Sequence, residues 1–265
     1  MNSMHEQLLY TTLRIECFDA GGSLKAFGTG FLLERKVSET ASKIFLVSNK
    51  HVLLGYESIA LTFTAASQGN PQHGTKRRFF INELQKYVKQ HPSDAIDIAV
   101  IDCTGVFVAN LGQIYYKFVS YEMLSDFTDP ELTVAQNVYF VGYPDNVFDV
   151  VNNLPLIRSG LIASHPSLDY NGTPVFIIDA QVFPGSSGSP VYIDLTYENF
   201  KNGNIMLGES KKLKLLGIVS ATMLHNNKLV AVQTPAINIC SQEVLGLGIV
   251  YKATAIKELI NSLVE

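Results

Sequence analysis

The chain is 265 residues long, 47% apolar, and carries a net charge of −4 at neutral pH. Such a composition supports a sizeable buried core and excludes the disordered class. The charge offers no basic field for nucleic acid or an anionic membrane, and no apolar run approaches the ~18 residues of a bilayer-spanning helix. Cys17, Cys103 and Cys240 are odd in number, far apart and without CxxC spacing, the pattern of buried thiols in a reducing compartment. The polar N-terminus and the short Leu8-Leu9-Tyr10 run give no signal-peptide core, so a soluble, cytoplasmic chain is expected.

Most of the sequence reads as short strands between Gly, Asn, Asp and Ser clusters, the spacing of a barrel or sandwich. Residues 8–18 predict a first strand. Residues 26–33 predict a second, where Gly28 and Gly30 mark a bend or a close backbone approach. A third, 43–48, stops at Asn49-Lys50-His51. His51 therefore stands just past a buried strand, either as a hydrogen-bonded structural residue or as an acid–base group. Residues 58–64 predict another strand, 68–74 a loop, and Lys76-Arg77-Arg78 a solvated strand start. Asp97 opens the apolar run Ile98-Ala99-Val100-Ile101. Its carboxylate would lie at the edge of a core and need partners there; Asp94 and Asp102 are rivals for any role.

From 106 to 121 the pattern is less regular and suits a linker between two halves, with a short helical turn at 120–124. Residues 134–141 predict a strand, and Gly142-Tyr143-Pro144-Asp145-Asn146 a turn with proline pre-set for it. Asn171-Gly172-Thr173 reads as a plain turn. Strands at 156–163, 175–178 and 181–183 lead to Pro184-Gly185-Ser186-Ser187-Gly188-Ser189-Pro190 and the strand-like Val191-Tyr192-Ile193. An exposed hairpin connection is expected over 198–212, then strands at 213–221 and 229–232. Only the last segment has helical periodicity: Ile256, Leu259, Ile260 and Leu263 form one apolar stripe, with Thr254 as its cap.

In the serine loop two glycines bracket Ser187. Glycine accepts backbone angles closed to other residues, so the loop can turn sharply and leave its amides unobstructed. Successive N–H groups there can converge on one anionic oxygen. The arrangement suits a nucleophile with its oxyanion hole, and equally an ordinary Gly/Ser turn. The chain order His, Asp, Ser is one in which hydrolytic triads occur. A serine hydroxyl is a weak nucleophile, so an imidazole must take its proton and a carboxylate must orient that imidazole. The six histidines form no HExxH pair, the loop lacks the lysine of a phosphate-binding loop, and it is not GxSxG. Neither a metal nor a cofactor is expected.

The ordered set resembles the chymotrypsin-fold serine proteases, most closely the bacterial trypsin-like branch that includes the Deg/high-temperature-requirement proteases. The matching motifs are Gly28-Thr29-Gly30-Phe31-Leu32, Val47-Ser48-Asn49-Lys50-His51-Val52, Asp97-Ile98-Ala99-Val100, and the stretch from Asp179 to Pro190. Ser159-Gly160-Leu161-Ile162-Ala163 and Gly217-Ile218-Val219-Ser220 add weaker matches. The resemblance implies an all-β fold of two antiparallel six-stranded β-barrels with a short C-terminal helix. The expected division is 1–118 for the barrel carrying His51 and Asp97, 119–251 for the barrel carrying the serine loop, and 252–265 for the helix. It implies a serine endopeptidase acting on protein or peptide substrates, with Ser187 as nucleophile, His51 as general base and acid, and Asp97 as orienting carboxylate. The amides of Gly185 and Ser187 would form the oxyanion hole, and Ser220, Ala221 and Thr222 would pair with an extended substrate.

The departures carry information too. Ser186 stands where digestive relatives have an aspartate that pairs with a freshly cut N-terminus, so a zymogen of that kind is not expected. Gln181, at the floor of the implied specificity pocket, offers no counter-ion for Lys or Arg. With Thr222 on the wall, small or medium uncharged side chains are expected. The PDZ domain usual in Deg proteases is not expected here. The alternative is a protease-fold binding or regulatory module that is idle or needs an activating partner.

Overall fold

The computed structural model describes residues 3–197, 200–201, 204–205, 210–230 and 238–264, with side chains described outside 196–211 and 221–244. Two β-systems follow one another along the chain. The first comprises β1 (Thr12–Phe18), β2 (Leu24–Lys36), β3 (Ser42–Ser48), β4 (Ser58–Ser67), β5 (Asn70–Ile81), β6 (Val88–Gln90), β7 (Ala99–Asp102), β8 (Ile114–Tyr115) and β9 (Val119–Ser120). They form a nine-stranded sheet in the order β5-β4-β1-β2-β3-β7-β6, with β8 added to β4 and β9 to β2. The six long members, β1–β5 and β7, correspond to the six strands expected; β6, β8 and β9 are two- or three-residue additions.

The second system is a closed barrel in the order β10-β11-β12-β17-β16-β13. Its strands are β10 (Asn137–Gly142), β11 (Leu156–Ile162), β12 (Val175–Asp179), β13 (Pro190–Tyr197), β16 (Ser210–Val230) and β17 (Asn238–Lys252), while β14 (Phe200–Lys201) and β15 (Asn204–Ile205) pair apart. Helices α1 (Met4–Leu8), α2 (Lys50–Leu53), α3 (Thr104–Ala109) and α4 (Ala253–Val264) complete the described elements. This is the chymotrypsin-like arrangement of two β-systems side by side.

Side chains alternate across a strand, and here both faces of the central strands are used. Leu32, Leu46, Ala99 and Ile101 fill the interior of the first sheet. Phe31, Leu33, Phe45, Val47 and Val100, one residue away on the same strands, join a second cluster. That cluster runs into the barrel through Val138, Phe140, Phe176, Tyr192, Ile218 and Val250. β2, β3 and β7 are therefore apolar on both sides, which is why they read as unbroken hydrophobic runs. Helix α4 adds Ile256, Leu259 and Ile260, each at most 1% exposed and stabilising by roughly 1.5–3 kcal/mol.

Several elements differ from the sequence reading. Residues 4–8 are helical, so Leu8 reaches the core from α1 and the first strand begins at Thr12. The loop expected at 68–74 shrinks to a two-residue turn, Gln68 (φ 50°) and Gly69 (φ 77°), between paired Ser67 and Asn70. Positive φ at both positions matches the twist of a tight hairpin. The Asn-Pro-Gln-His-Gly sequence that suggested a loop lies on β5, where a break in register between Thr64 and Ala65 absorbs the extra residues. The stretch 106–121 holds part of α3 together with β8 and β9, bound into the first sheet. No strand forms at 181–183. β17 runs into α4 at Ala253, which puts Thr254 inside the first turn rather than at the cap. Asn171 (φ 53°) and Gly172 (φ 76°) make the plain turn expected. The expected strand at 229–232 is the end of β16 as far as Val230; residues 231–232, and part of the 198–212 connection, lie outside the described residues.

Cys17 and Cys103 are buried free thiols, and burial pushes both up to about 12. The Cys240 side chain lies outside those described.

Candidate active site

β3 delivers His51. The strand ends at Ser48, and the extended Asn49 (φ −80°, ψ 154°) precedes the single turn of α2. Buried Val52 and Leu53 pin that turn, leaving His51 half exposed at its start. Asn49 Nδ2 donates to the Asp97 carbonyl at 2.7 Å, and Lys50 Nζ to the Ser93 carbonyl at 2.8 Å. Both bonds tie α2 to the loop that precedes β7.

That loop presents Asp97 between buried Ile96 and Ile98. Its ends close through the His91 N–H donating to the Ile98 carbonyl at 2.9 Å, and the Ser93 N–H donates to His91 Nδ1 at 3.1 Å. Asp97 Oδ2 lies 2.6 Å from His51 Nδ1, and Oδ1 accepts the His51 backbone N–H at 3.1 Å. Against a carboxylate the imidazole nitrogen donates, which leaves Nε2 of a neutral ring free to accept a proton. Ser220 Oγ adds a third bond, to Oδ2 at 2.8 Å. Burial pushes the Asp97 carboxyl up. The bond and charge of His51, the Ser220 hydroxyl and the His51 N–H outweigh it, so the carboxyl sits below its ordinary value. Neither rival takes this place: Asp94 is exposed, and Asp102 accepts the Thr104 N–H and hydroxyl at the start of α3.

Two successive turns shape the serine loop. The Ser186 N–H donates to the Phe183 carbonyl at 3.0 Å with Gly185 at φ +85°, and the Ser189 N–H donates to the Ser186 carbonyl at 3.0 Å with Gly188 at φ +86°. Each turn needs positive φ at its third residue, where glycine is unstrained. Gly188 is also fixed by space, since a Cβ there would fall 1.9 Å from the Thr29 carbonyl oxygen. Across the gap the Thr29 N–H donates to the Ser187 carbonyl at 2.9 Å, and the Gly188 N–H to the Val219 carbonyl at 2.8 Å. Among the described residues, neither the Gly185 nor the Ser187 N–H has an acceptor.

His51 and Ser187 line one cavity of about 220 Å³ with Ala26, Phe27, Tyr56 and Gly185. His51 thus bonds to Asp97 on one side and shares a cavity with Ser187 on the other. Ser187 Oγ donates to the Ser220 carbonyl at 2.8 Å, and among the described residues no hydrogen bond joins it to the imidazole.

The family model for the trypsin-like peptidase domain matches residues 28–196, more than half of the chain. The chain belongs to the trypsin-like peptidase family. Two solved structures align with nearly all of it. The Rv3671c protease from M. tuberculosis, in its active form, is 18% identical with a TM-score of 0.50, over 98% of this chain and 83% of that one. The atomic-resolution structure of HBP is 9% identical with a TM-score of 0.53, over 97% of this chain and 92% of that one. At such identities the likeness is one of fold. A comparison with curated proteins finds no match.

Other residues of this trypsin-like peptidase domain fall less simply. Gln181 is exposed, and its carbonyl accepts from Arg158 at 2.6 Å. Ala221 and Thr222 pair with Ile249 and Gly248 of β17 along the backbone, and their side chains lie outside those described. Ser220 falls between the paired residues Val219 and Ala221, at a β-bulge. A bulge re-aims the residue it displaces, here placing the hydroxyl on Asp97 and the carbonyl on Ser187. Sequence reading gave Ser220 only a backbone role, because nothing local marks a bulge. It also passed over Thr29, the polar residue of the otherwise apolar run 26–33, and Asn49, one of four successive polar residues at 48–51. No helix among the described residues is long and apolar enough to cross a membrane, and no group of three or more potential metal ligands occurs among them.

Proposed function

We propose that this domain is a serine endopeptidase, with Ser187 as nucleophile, His51 as general base then acid, and Asp97 as the carboxylate that orients the ring. The observation that carries the reading is the His51–Asp97 pair, doubly bonded and backed by Ser220, opening onto the cavity that Ser187 shares. In the reaction Ser187 Oγ bonds to the scissile carbonyl carbon while its proton passes to His51 Nε2. The imidazolium then gives that proton to the departing amine, and the acyl group stays on Ser187. Water reverses the roles and frees the acid product.

The charge that develops on the carbonyl oxygen needs donors already in place. The Pro184 carbonyl accepts the Asp145 N–H at 2.6 Å, and the Ser186 carbonyl the Ser189 N–H at 3.0 Å. In a trans peptide N–H and C=O point opposite ways, so anchoring these carbonyls aims the Gly185 and Ser187 N–H groups away from the protein. They are the proposed oxyanion hole. An extended substrate would add to β16 at Ser220–Thr222. Beyond the ladder between β13 and β16, the Val219 N–H and carbonyl bond to Ser189 and Gly188, so the edge offered to a peptide would begin at Ser220. Gln181 and Thr222 would favour small or medium uncharged side chains. Two buried free thiols support a reducing compartment, the cytoplasm.

One observation favours a second reading, an idle or partner-dependent module: the Ser187 hydroxyl rests on the Ser220 carbonyl. The endopeptidase reading requires a rotation about χ1 that turns the hydroxyl toward the imidazole. A fluorophosphonate probe separates the two readings. The endopeptidase predicts labelling of the wild type that Ser187→Ala and His51→Ala abolish. A wild type that stays unlabelled, with peptide present as well, would favour the binding module.

A further inference from the structure

Thr29 lies on β2 in the first sheet, fully buried and far in sequence from the serine loop. Each of its polar groups is used. Its N–H donates to the Ser187 carbonyl at 2.9 Å, and its carbonyl accepts the Ser48 hydroxyl at 2.6 Å. Its own hydroxyl donates to the Gly185 carbonyl at 2.7 Å and accepts the Tyr143 N–H at 3.3 Å. Thr29 therefore joins three segments: the serine loop, the end of β10 and the strand beside His51.

The bond to Gly185 falls at a sensitive place. Flanking carbonyls set the planes of the two peptides that meet at Gly185. Pro184 O is held by the Asp145 N–H, and Gly185 O by Thr29 Oγ1. Glycine has no side chain to resist rotation. The Gly185–Ser186 peptide carries the Ser186 N–H, which donates to the Phe183 carbonyl at 3.0 Å, and its turning would swing the donor-bearing peptides on either side of it. The buried residue between Gly185 and Ser187 is an uncharged serine. Ser186 is 1% exposed, and its hydroxyl has no partner. The threonine hydroxyl stands where such a hold is required.

We propose that Thr29 is a positioning residue of the hydrolytic step, its hydroxyl fixing the Gly185–Ser186 peptide that links the two peptides carrying the Gly185 and Ser187 N–H groups, and so keeping those two donors aimed at one oxyanion. The inference rests on the endopeptidase reading for its catalytic consequence, but not for the hold itself. It assigns the threonine of the Gly-Thr-Gly motif a task that its backbone alone cannot perform. Valine has the same shape without the hydroxyl, so Thr29→Val would leave the Gly185 carbonyl and the Tyr143 N–H unpaired in a buried place. Serine keeps the hydroxyl and loses a methyl.

The test compares wild type, Thr29→Val and Thr29→Ser in two measurements. In labelling by a fluorophosphonate, Thr29→Val should lower the maximal rate about 10- to 100-fold, with the half-saturating concentration within about twofold. Thr29→Ser should recover most of the rate. A hydroxyl that only supports the fold would not divide the two constants in this way. In hydrogen exchange, the 183–189 segment and the Tyr143 amide should exchange faster in Thr29→Val than in wild type or Thr29→Ser. Labelling of Thr29→Val at the wild-type rate, or Thr29→Ser as slow as Thr29→Val, overturns the proposal. Exchange is informative without turnover: unchanged exchange in Thr29→Val overturns the hold, and faster exchange supports it even in a protein no probe labels. A wild type that labels no better than Ser187→Ala sinks the endopeptidase reading instead.

Discussion

The base and the nucleophile are held by different means. His51 and Asp97 come from the first sheet and are fixed largely through side chains: a carboxylate with three donors, an amide on a carbonyl and a lysine on a loop. Ser187 comes from the barrel side and is fixed by main chain. Two turns, two glycines at positive φ and bonds to the Thr29 and Val219 backbone define its position. Side-chain bonds can be altered one at a time, and a charged pair held that way responds to pH. Apart from the Thr29 hydroxyl on the Gly185 carbonyl, the backbone cage has no such handle and fails through shape.

Gly188→Ala should therefore have the largest effect, although it removes no polar atom. The added methyl would lie 1.9 Å from the Thr29 carbonyl oxygen and 2.5 Å from Ser48 Oγ, with φ at +86°. Backbone must move to admit it. We expect a variant without probe labelling and with Tm lowered by more than 10 °C, or one recovered unfolded. Gly22→Ala is the control. It has φ +75° but open space around the site, so only the conformational cost of about 1 kcal/mol applies. If Gly188→Ala keeps wild-type Tm and labelling, the backbone cage is not what sets the serine.

The sequence displayed this contrast unevenly. The serine loop was legible because its constraint is written in residue type: only glycine takes those angles and that space. The apolar runs of β2, β3 and β7 were legible because burial on two faces leaves no polar residue between them. The pairing of His51 with Asp97 rather than Asp94 or Asp102 rested on resemblance, since opening an apolar run places Asp97 at a core edge but does not say which partner it meets. Burial of Ile96 and Ile98 decides it in the fold. The 68–74 region was misjudged for a related reason. Asn-Pro-Gln-His-Gly has the composition of a loop, but the pairing of Ser67 with Asn70 fixes the turn one step earlier. The bulge at Ser220 depends on how β16 meets β17, which no short window contains.

On the base side, Asp97→Asn should leave the fold intact and lower kcat about 10³- to 10⁴-fold, because an amide can favour the wrong ring tautomer. The sign of its pH effect follows from the lowered carboxyl. A carboxyl held below its ordinary value contributes stability that is present above that value and is lost as pH falls through the folded one. Wild type should thus lose Tm below about pH 4 more steeply than Asp97→Asn does. Parallel Tm curves through that range would mean that the pair contributes nothing to the folded state.

Ser220→Ala should have the smallest effect, and it tests the contrast most finely because Ser220 serves both sides. Its carbonyl holds Ser187 Oγ, and its hydroxyl holds Asp97 Oδ2. Alanine keeps the first contact and deletes the second. A hydrogen bond to a charged group contributes about 1.5–3 kcal/mol, and a partly exposed carboxylate that keeps both bonds to His51 should show the lower end. We expect kcat to fall about tenfold with KM near wild type. The acid limb of the Tm curve should move toward higher pH, as the carboxyl relaxes toward its ordinary value, while remaining steeper than in Asp97→Asn. A change in KM instead would mean that Ser220 acts on the substrate strand. An unmoved acid limb would mean that His51 alone holds the carboxylate, and the base side would then depend on one partner rather than on a network.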